Sequence, residues 1–206
     1  MSGGRSAGIV LAAGGSRRMG SPKQLLPVAG RPLLETVVAA ACASQLDEVV
    51  VVLGANAEAI RDAVDWGRAR VVVNAEHEQG MSTSLHAGIR ALDASVERCA
   101  VILGDQPDVT PALIDRLLAA QEQSGLPASA LSFDGLLHPP VVMRRELWPD
   151  LLALRGDVGC RQVIRARPEL VAAVPANAPS HHPVDIDTPE DFAKLSSRGA
   201  GTERPT

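Results

Sequence analysis

Short apolar, β-branched runs separated by helical patterns constrain the fold of this chain more than any other feature. Residues 7–11, 48–53, 70–73, 100–103, 128–132, 141–143, 170–174 and 184–186 read as strands. Residues 33–43, 57–63, 81–92, 111–124, 149–155, 160–167 and 189–195 read as helices. The first three helices each sit between strands, as in right-handed βαβ units, so an α/β domain with a mostly parallel sheet flanked by helices is expected. Local punctuation agrees. Pro32 suits a first helical turn, Thr110-Pro111 reads as cap plus first helical position, and Thr188-Pro189 repeats this before Glu190 and Asp191. The 206 residues suffice for one core. No linker divides them, so a single domain over 6–196 is expected, with flexible termini at 1–5 and 197–206.

The first apolar run ends in Gly14-Gly15-Ser16-Arg17-Arg18-Met19-Gly20, and Lys23 follows. Glycines let a backbone approach phosphate oxygens, and exposed N–H groups and cations neutralise them. The loop is not a Walker P-loop: Gly15 and Gly20 have the spacing, but Ser21 stands where that motif has lysine. Nor is there a G-x-G-x-x-G dinucleotide fingerprint, and no flavin motif speaks for a reductase. In open α/β sheets ligands bind beyond the carboxyl ends of strands. The loop after the first strand, Gly104-Asp105 after the strand ending at Leu103, and Asp187 after the one ending at Ile186 all fall there.

Composition narrows the function. Acidic side chains number 24 against 20 basic ones, for a formal charge of −4, which argues against a nucleic-acid surface. Aromatic residues are 2%, too few for base-stacking platforms. Cys42, Cys99 and Cys160 are odd in number and far apart, fitting neither a zinc site nor a disulfide framework, and a reducing cytoplasm is the simplest setting. No signal-peptide or membrane-spanning apolar run is present.

Arg18 and Lys23 are the choices for triphosphate contacts: arginine suits bidentate oxygen recognition, lysine acts as a mobile point charge. The plain alternative is a pair of solvated surface cations. Asp105, at a strand's carboxyl edge, suits Mg²⁺, which shares one or two carboxylates with substrate phosphates, and Asp187 can supply the second. The alternatives are a turn-forming Asp105 before Pro107, an Asx-type Asp187 before the Thr188 cap, and Asp185 as ligand instead. Residues 79–84 precede a helix, where free N–H groups can read a base edge or an anion, or where Ser82 can cap.

The segment Leu11-Ala12-Ala13-Gly14-Gly15-Ser16-Arg17-Arg18-Met19-Gly20-Ser21-Pro22-Lys23 resembles the signature of nucleotidyltransferases with a GT-A-like, Rossmann-type fold. Four further motifs follow in the expected order: Gln79-Gly80-Met81-Ser82-Thr83-Ser84-Leu85, Gly104-Asp105-Gln106-Pro107, Gly156-Asp157-Val158-Gly159-Cys160-Arg161 and Asp185-Ile186-Asp187-Thr188-Pro189-Glu190-Asp191. Within the superfamily the chain is most similar to the molybdenum cofactor cytidylyltransferases, over residues 7–195. The resemblance implies a single Rossmann-like domain and a Mg²⁺-dependent transfer of CMP from CTP to molybdopterin, with release of pyrophosphate. It implies Leu11, Ala12, Ala13, Gly14, Gly15, Arg18, Lys23, Gln79, Gly80, Met81, Ser82 and Asp105 as nucleotide contacts. Lys23, Arg18 and Asp105 would be catalytic, and Asp105 and Asp187 would hold the metal. His138-Pro139-Pro140 resembles a Gly-His-Pro element near the acceptor, although Leu137 replaces the glycine; Asp157 and Arg161 are further acceptor candidates. A molybdoenzyme or its maturation chaperone would be the protein partner, with no nucleic acid or membrane involved. A guanylyltransferase, a sugar- or polyol-phosphate cytidylyltransferase and a non-catalytic cofactor-binding chaperone stay as alternatives.

Overall fold

The computed structural model describes residues 4–16, 20–176 and 185–199. Arg17, Arg18 and Met19 lie outside the described residues, as do His181, His182 and Val184. The strands are β1 (Arg5–Ala12), β2 (Pro27–Val28), β3 (Arg31–Pro32), β4 (Glu48–Leu53), β5 (Arg70–Val73), β6 (Val96–Leu103), β7 (Ala128–Phe133), β8 (Leu136–Arg144) and β9 (Val171–Pro175). The helices are α1 (Leu33–Ala43), α2 (Ala57–Ala63), α3 (Met81–Ala91), α4 (Pro111–Ser124), α5 (Trp148–Ala153), α6 (Cys160–Ala166) and α7 (Pro189–Gly199). Seven strands form one sheet in the order β5-β4-β1-β6-β8-β7-β9, and β2 and β3 form a separate two-residue ribbon. The pairs β1–β4, β1–β6, β4–β5 and β7–β9 are parallel; β8 runs antiparallel to both β6 and β7.

Period-two alternation divides the core into two layers. Ile9, Leu11, Val50, Val52 and Val101 face one side, where Leu85 and Ile89 of α3, Leu151 of α5 and Ile164 of α6 cover them. Val10, Ala12, Val49, Val51, Leu53 and Ile102 face the other, against Leu34, Val37 and Val38 of α1 and Ile114 and Leu117 of α4. Central strands buried on both faces read as continuous apolar runs, which is why they are legible in the sequence.

Several boundaries differ from expectation. β1 begins at Arg5, inside the segment expected to be a flexible terminus, because β1 pairs with β6 from Arg5↔Val96 onward. The same ladder extends β6 four residues upstream of its apolar run. His138, the acceptor candidate, lies within β8 opposite Leu131. α7 continues to Gly199, through the first residues of the expected tail. The strand expected at 184–186 is not formed among the described residues: Asp185 and Ile186 follow an irregular path. The Ile186 N–H donates to the Asp105 carbonyl (3.1 Å), and its side chain is buried in the α1–α4 layer. That bond sets Asp187 beside Asp105 without a ladder. Pro32 sits at the N-cap position of α1, one residue before the helix, and Thr110 caps α4 by accepting the Leu113 N–H (3.2 Å).

Candidate active site

The loop after β1 is held by its own downstream residue. Gln24, in a short 3-10 turn (Lys23–Leu25), is buried, and its Nε2 donates to the carbonyls of Ala12 (3.0 Å) and Gly14 (2.9 Å). The Ala13 carbonyl accepts from Ala55 N–H (3.2 Å) and the Leu11 carbonyl from Gly104 N–H (2.9 Å). Ser16, at φ 50, donates through Oγ to Gln24 Oε1 (3.3 Å) and accepts the Lys23 N–H (2.9 Å). Four consecutive carbonyls are thus turned into the protein. Among the described residues the N–H groups of Ala13, Gly14, Gly15 and Ser16 donate no hydrogen bond. A left-handed residue beside such amides makes a concavity of donors suited to anions and to acceptor-bearing edges.

Lys23 projects from this turn to the carboxyl end of β6. Its Nζ donates to Asp105 Oδ2 (2.6 Å) and Asp187 Oδ1 (2.7 Å). Lys23 and Asp105 are largely buried, with side chains 14% and 19% exposed, whereas Asp187 is 40% exposed. Burial works against the ammonium charge, but Asp105 and Asp187 outweigh it and hold the Lys23 pKa above its ordinary value. Burial raises the Asp105 carboxyl, more than Lys23 pulls it down. Asp105 Oδ1 is buried and makes no hydrogen bond. Asp185, the alternative ligand, accepts from Gln106 Nε2 (2.7 Å). Asp187 is followed by a reciprocal cap: Asp191 Oδ2 accepts the Thr188 N–H (3.0 Å), and Thr188 Oγ1 accepts the Asp191 N–H (3.2 Å).

Two adjoining clefts open here. The inner one, about 360 Å³, is lined by Leu11, Ala12, Ala13 and Gly14 on one side and Asp105 and Asp185 on another, with Met81 and Ser84 between. The outer one, about 560 Å³, adds Gly15, Ser16, Ala55, Glu78 and Gln79. Ala13, Gly14, Lys23, His77, Gly80, Asp157 and Asp187 line both. The structure therefore brings together the β1 loop, Lys23, Asp105, Asp187, Gln79, Gly80, Met81 and Asp157. Ser82, His138 and Arg161 line neither cleft, and Arg18 lies outside the described residues.

The start of α3 differs from the free helix end expected from sequence. Gly80 has φ 110, and a Cβ there would lie 2.3 Å from the Gly156 carbonyl carbon. The Ser82 N–H donates to Gly156 O (3.1 Å), the Met81 N–H to Asp157 Oδ1 (3.4 Å) and the Thr83 N–H to Gly80 O (3.2 Å). These amides are taken by the protein, Ser82 does not cap, and its buried Oγ makes no hydrogen bond. The loop after α5 and the start of α3 form one wall. Asp157, expected near the acceptor, joins that wall.

Sequence reasoning missed Gln24 and His77. Gln24 directly follows the last residue of the signature, and His77 lies in a polar stretch with no periodicity; only the fold places them in the clefts.

Residues 8–173 match the family model described as the MobA-like NTP transferase domain. The chain is 34% identical over 198 residues to the nicotine blue oxidoreductase of Paenarthrobacter nicotinovorans, covering 91% of this chain and 95% of that protein. It is 31% identical over 196 residues to the purine catabolism protein PucB of Bacillus subtilis, covering 90% and 93%. The crystal structure of the Mycobacterium tuberculosis protein Rv0371c in complex with manganese superposes with a TM-score of 0.80 at 26% identity, covering 93% of this chain and 97% of that one. The strand-end site and the family match lead to one conclusion: the chain belongs to the MobA-like NTP transferase family and is a nucleotidyltransferase.

Proposed function

We propose that this enzyme transfers CMP from CTP to the phosphate of the molybdopterin cofactor, forming molybdopterin cytosine dinucleotide and pyrophosphate. The observation that carries the reading is the Lys23 ammonium, held between Asp105 and Asp187 beside a loop whose carbonyls at residues 11–14 are turned into the protein. The acceptor is what the resemblance to the molybdenum cofactor cytidylyltransferases implies, and the MobA-like family description supports it.

A divalent cation fits the residues present. Asp105 Oδ1 is buried without a partner, and Asp105 Oδ2 and Asp187 Oδ1 meet at the Lys23 ammonium. Two carboxylates, completed by phosphate oxygens and water, are a set that Mg²⁺ accepts. The manganese in the related mycobacterial structure supports this. Bound there, the ion would neutralise triphosphate charge. The chain's own residues hold and orient. The amides of residues 13–16 donate to the acceptor atoms of the base edge. Lys23, the only lysine or arginine lining the clefts among the described residues, stabilises charge that grows on the α-phosphate. An oxygen of the acceptor phosphate forms a bond to the α-phosphorus as the bond to the β-phosphate oxygen breaks, and pyrophosphate leaves. Arg18 is assigned to the triphosphate from sequence alone.

The preference for CTP rests on the same loop. The Ala13 methyl narrows the cleft, which suits one ring better than two. Amide donors match the O2 and N3 acceptors of cytosine, whereas the N1–H and 2-amine of guanine would meet donors. The name of the Paenarthrobacter relative raises a redox reading. The present chain carries no dinucleotide fingerprint. Cys99 and Cys160 are buried away from both clefts, with thiols pushed up to about 12 by desolvation. A cytoplasmic enzyme that passes its product to a molybdoenzyme or its chaperone completes the proposal; no helix among the described residues is long and apolar enough to cross a membrane.

The test is incubation with isolated molybdopterin cofactor, Mg²⁺ and each NTP in turn, with product masses and pyrophosphate measured. The cytosine dinucleotide is expected to dominate, with about a 10–200-fold advantage in kcat/KM if one pocket-sized difference decides. An equal or larger rate with GTP replaces the cytidylyl reading with a guanylyl one. No dinucleotide from any NTP overturns the acceptor assignment.

A further inference from the structure

His77 is the one aromatic ring lining either cleft among the described residues, and nothing in the phosphate chemistry uses it. Its placement is tightly determined. Nδ1 lies 3.2 Å from the Asn74 carbonyl, which can only accept, so Nδ1 carries the hydrogen. In the neutral ring Nε2 is then an acceptor. Asn74 is buried and fixed in turn: its Nδ2 donates to Thr83 Oγ1 (2.8 Å) and Ser84 Oγ (3.0 Å), and its Oδ1 accepts the Glu76 N–H (2.9 Å). The imidazole is therefore anchored through Asn74 to the first turn of α3.

Gly54, just beyond β4, brings the ring to the loop. A Cβ at Gly54 would lie 2.6 Å from His77 Cβ and 2.8 Å from Ala13 Cβ, so both side chains close onto the same bare backbone. His77 and Ala13 stand side by side, while Lys23, Asp105 and Asp187 gather at the carboxyl end of β6. A base seated against Ala13 meets amide donors from residues 13–16 and, beside them, an imidazole. Cytosine differs from uracil at two edge positions: N3 accepts where uracil carries N3–H, and an amine replaces the neighbouring carbonyl. Amide donors can read N3, but not the amine. A pocket of donors alone cannot favour the amine; it needs a neighbouring acceptor.

We propose that His77 is a specificity-determining residue that accepts a hydrogen bond from the exocyclic amine of the bound base. The inference rests on the nucleotide reading above, because it places the base, not the acceptor, against Ala13. It makes His77 a second source of discrimination between CTP and UTP, beside the donors that meet N3; ring size does not separate the two.

Equilibrium binding of CTP and of UTP, each with Mg²⁺, tests it without any acceptor present. Wild type is expected to bind CTP at least about tenfold more tightly than UTP. His77→Phe keeps a ring of similar size and lacks Nε2; its ratio is expected to fall by at least about threefold, with the loss confined to CTP. His77→Gln offers an amide oxygen and is expected to recover part of the ratio. Thermal unfolding of each variant, with midpoints near wild type, shows that the ratios report on the folded enzyme. An unchanged ratio in His77→Phe overturns the assignment. So does collapse of the ratio in Asp157→Asn but not in His77→Phe, because it would make Asp157 the acceptor. A wild type that prefers GTP overturns the cytidylyl reading alone. His77 is then judged by the same variants on GTP against inosine triphosphate, which lacks the 2-amine.

Discussion

Two carboxylates share the charge of Lys23, so replacing it acts on the chemical step and on the neighbouring acids together. Lys23→Ala is expected to lower kcat by about 10²-fold while KM for CTP changes far less, as for loss of a donor that acts mainly on transition-state charge. Asp105→Asn keeps the size and removes the charge at the buried end of the pair. Its turnover is expected to fall by at least about 10²-fold with the fold retained. Steady-state kinetics alongside circular dichroism checks both, and turnover of Asp105→Asn within about threefold of wild type would remove the metal assignment. These residues could be named from sequence because charge beside glycine, or at the end of an apolar strand, is chemically conspicuous. Gln24 could not. A buried glutamine that turns two carbonyls away from a ligand has the same local signature as a solvated one, and only long-range packing distinguishes them.

Among the elements, the junction of α3 with the loop after α5 joins the side of the clefts proposed to hold the nucleotide to the side expected to face the acceptor. Gly80 makes the junction possible through a positive φ and a bare face against Gly156. Gly80→Ala is expected to cost about 1–3 kcal/mol from the backbone conformation alone, with a further cost for moving Gly156. Chemical denaturation measures it, and a midpoint shift equivalent to less than about 0.5 kcal/mol would show that the junction yields freely. Sequence placed both motifs but did not show that they meet, since residues 80 and 156 are separated by three strands. It also assigned a strand to 184–186 from Val184 and Ile186, where one hydrogen bond to Asp105 does the positioning. Strand ends such as Glu97 and Arg98 were illegible for the opposite reason: their pairing depends on β1 and not on their own polarity.

At the scale of the whole molecule, the parallel half of the sheet sends the ends of β1, β4 and β6 to one edge, and every element of the clefts lies there. The two-layer core was readable because central strands are apolar on both faces. The antiparallel β8 was not, because a short apolar run carries no direction. Ligands that bind only the folded state should stabilise the protein as a unit. Mg²⁺ with CTP at about 100 times its dissociation constant is expected to add about 2.7 kcal/mol. Thermal melts with and without Mg²⁺ measure this, and Asp105→Asn should lose the part that depends on the cation. The ion pair of Lys23 with Asp105 and Asp187 also has a kinetic side. The ammonium is a competitor on a leash, present at high effective concentration for the carboxylates that a free cation would seek. Free Mg²⁺ must displace it, whereas Mg²⁺ arriving on a nucleotide brings phosphates to which the ammonium can transfer. On the proposed function, assembly is then expected to follow an order, with metal and nucleotide entering as one complex. Lys23→Met should bind free Mn²⁺ more tightly than wild type by calorimetry while catalysing more slowly. Weaker Mn²⁺ binding by that variant would show that the lysine helps to build the cation site instead of guarding it.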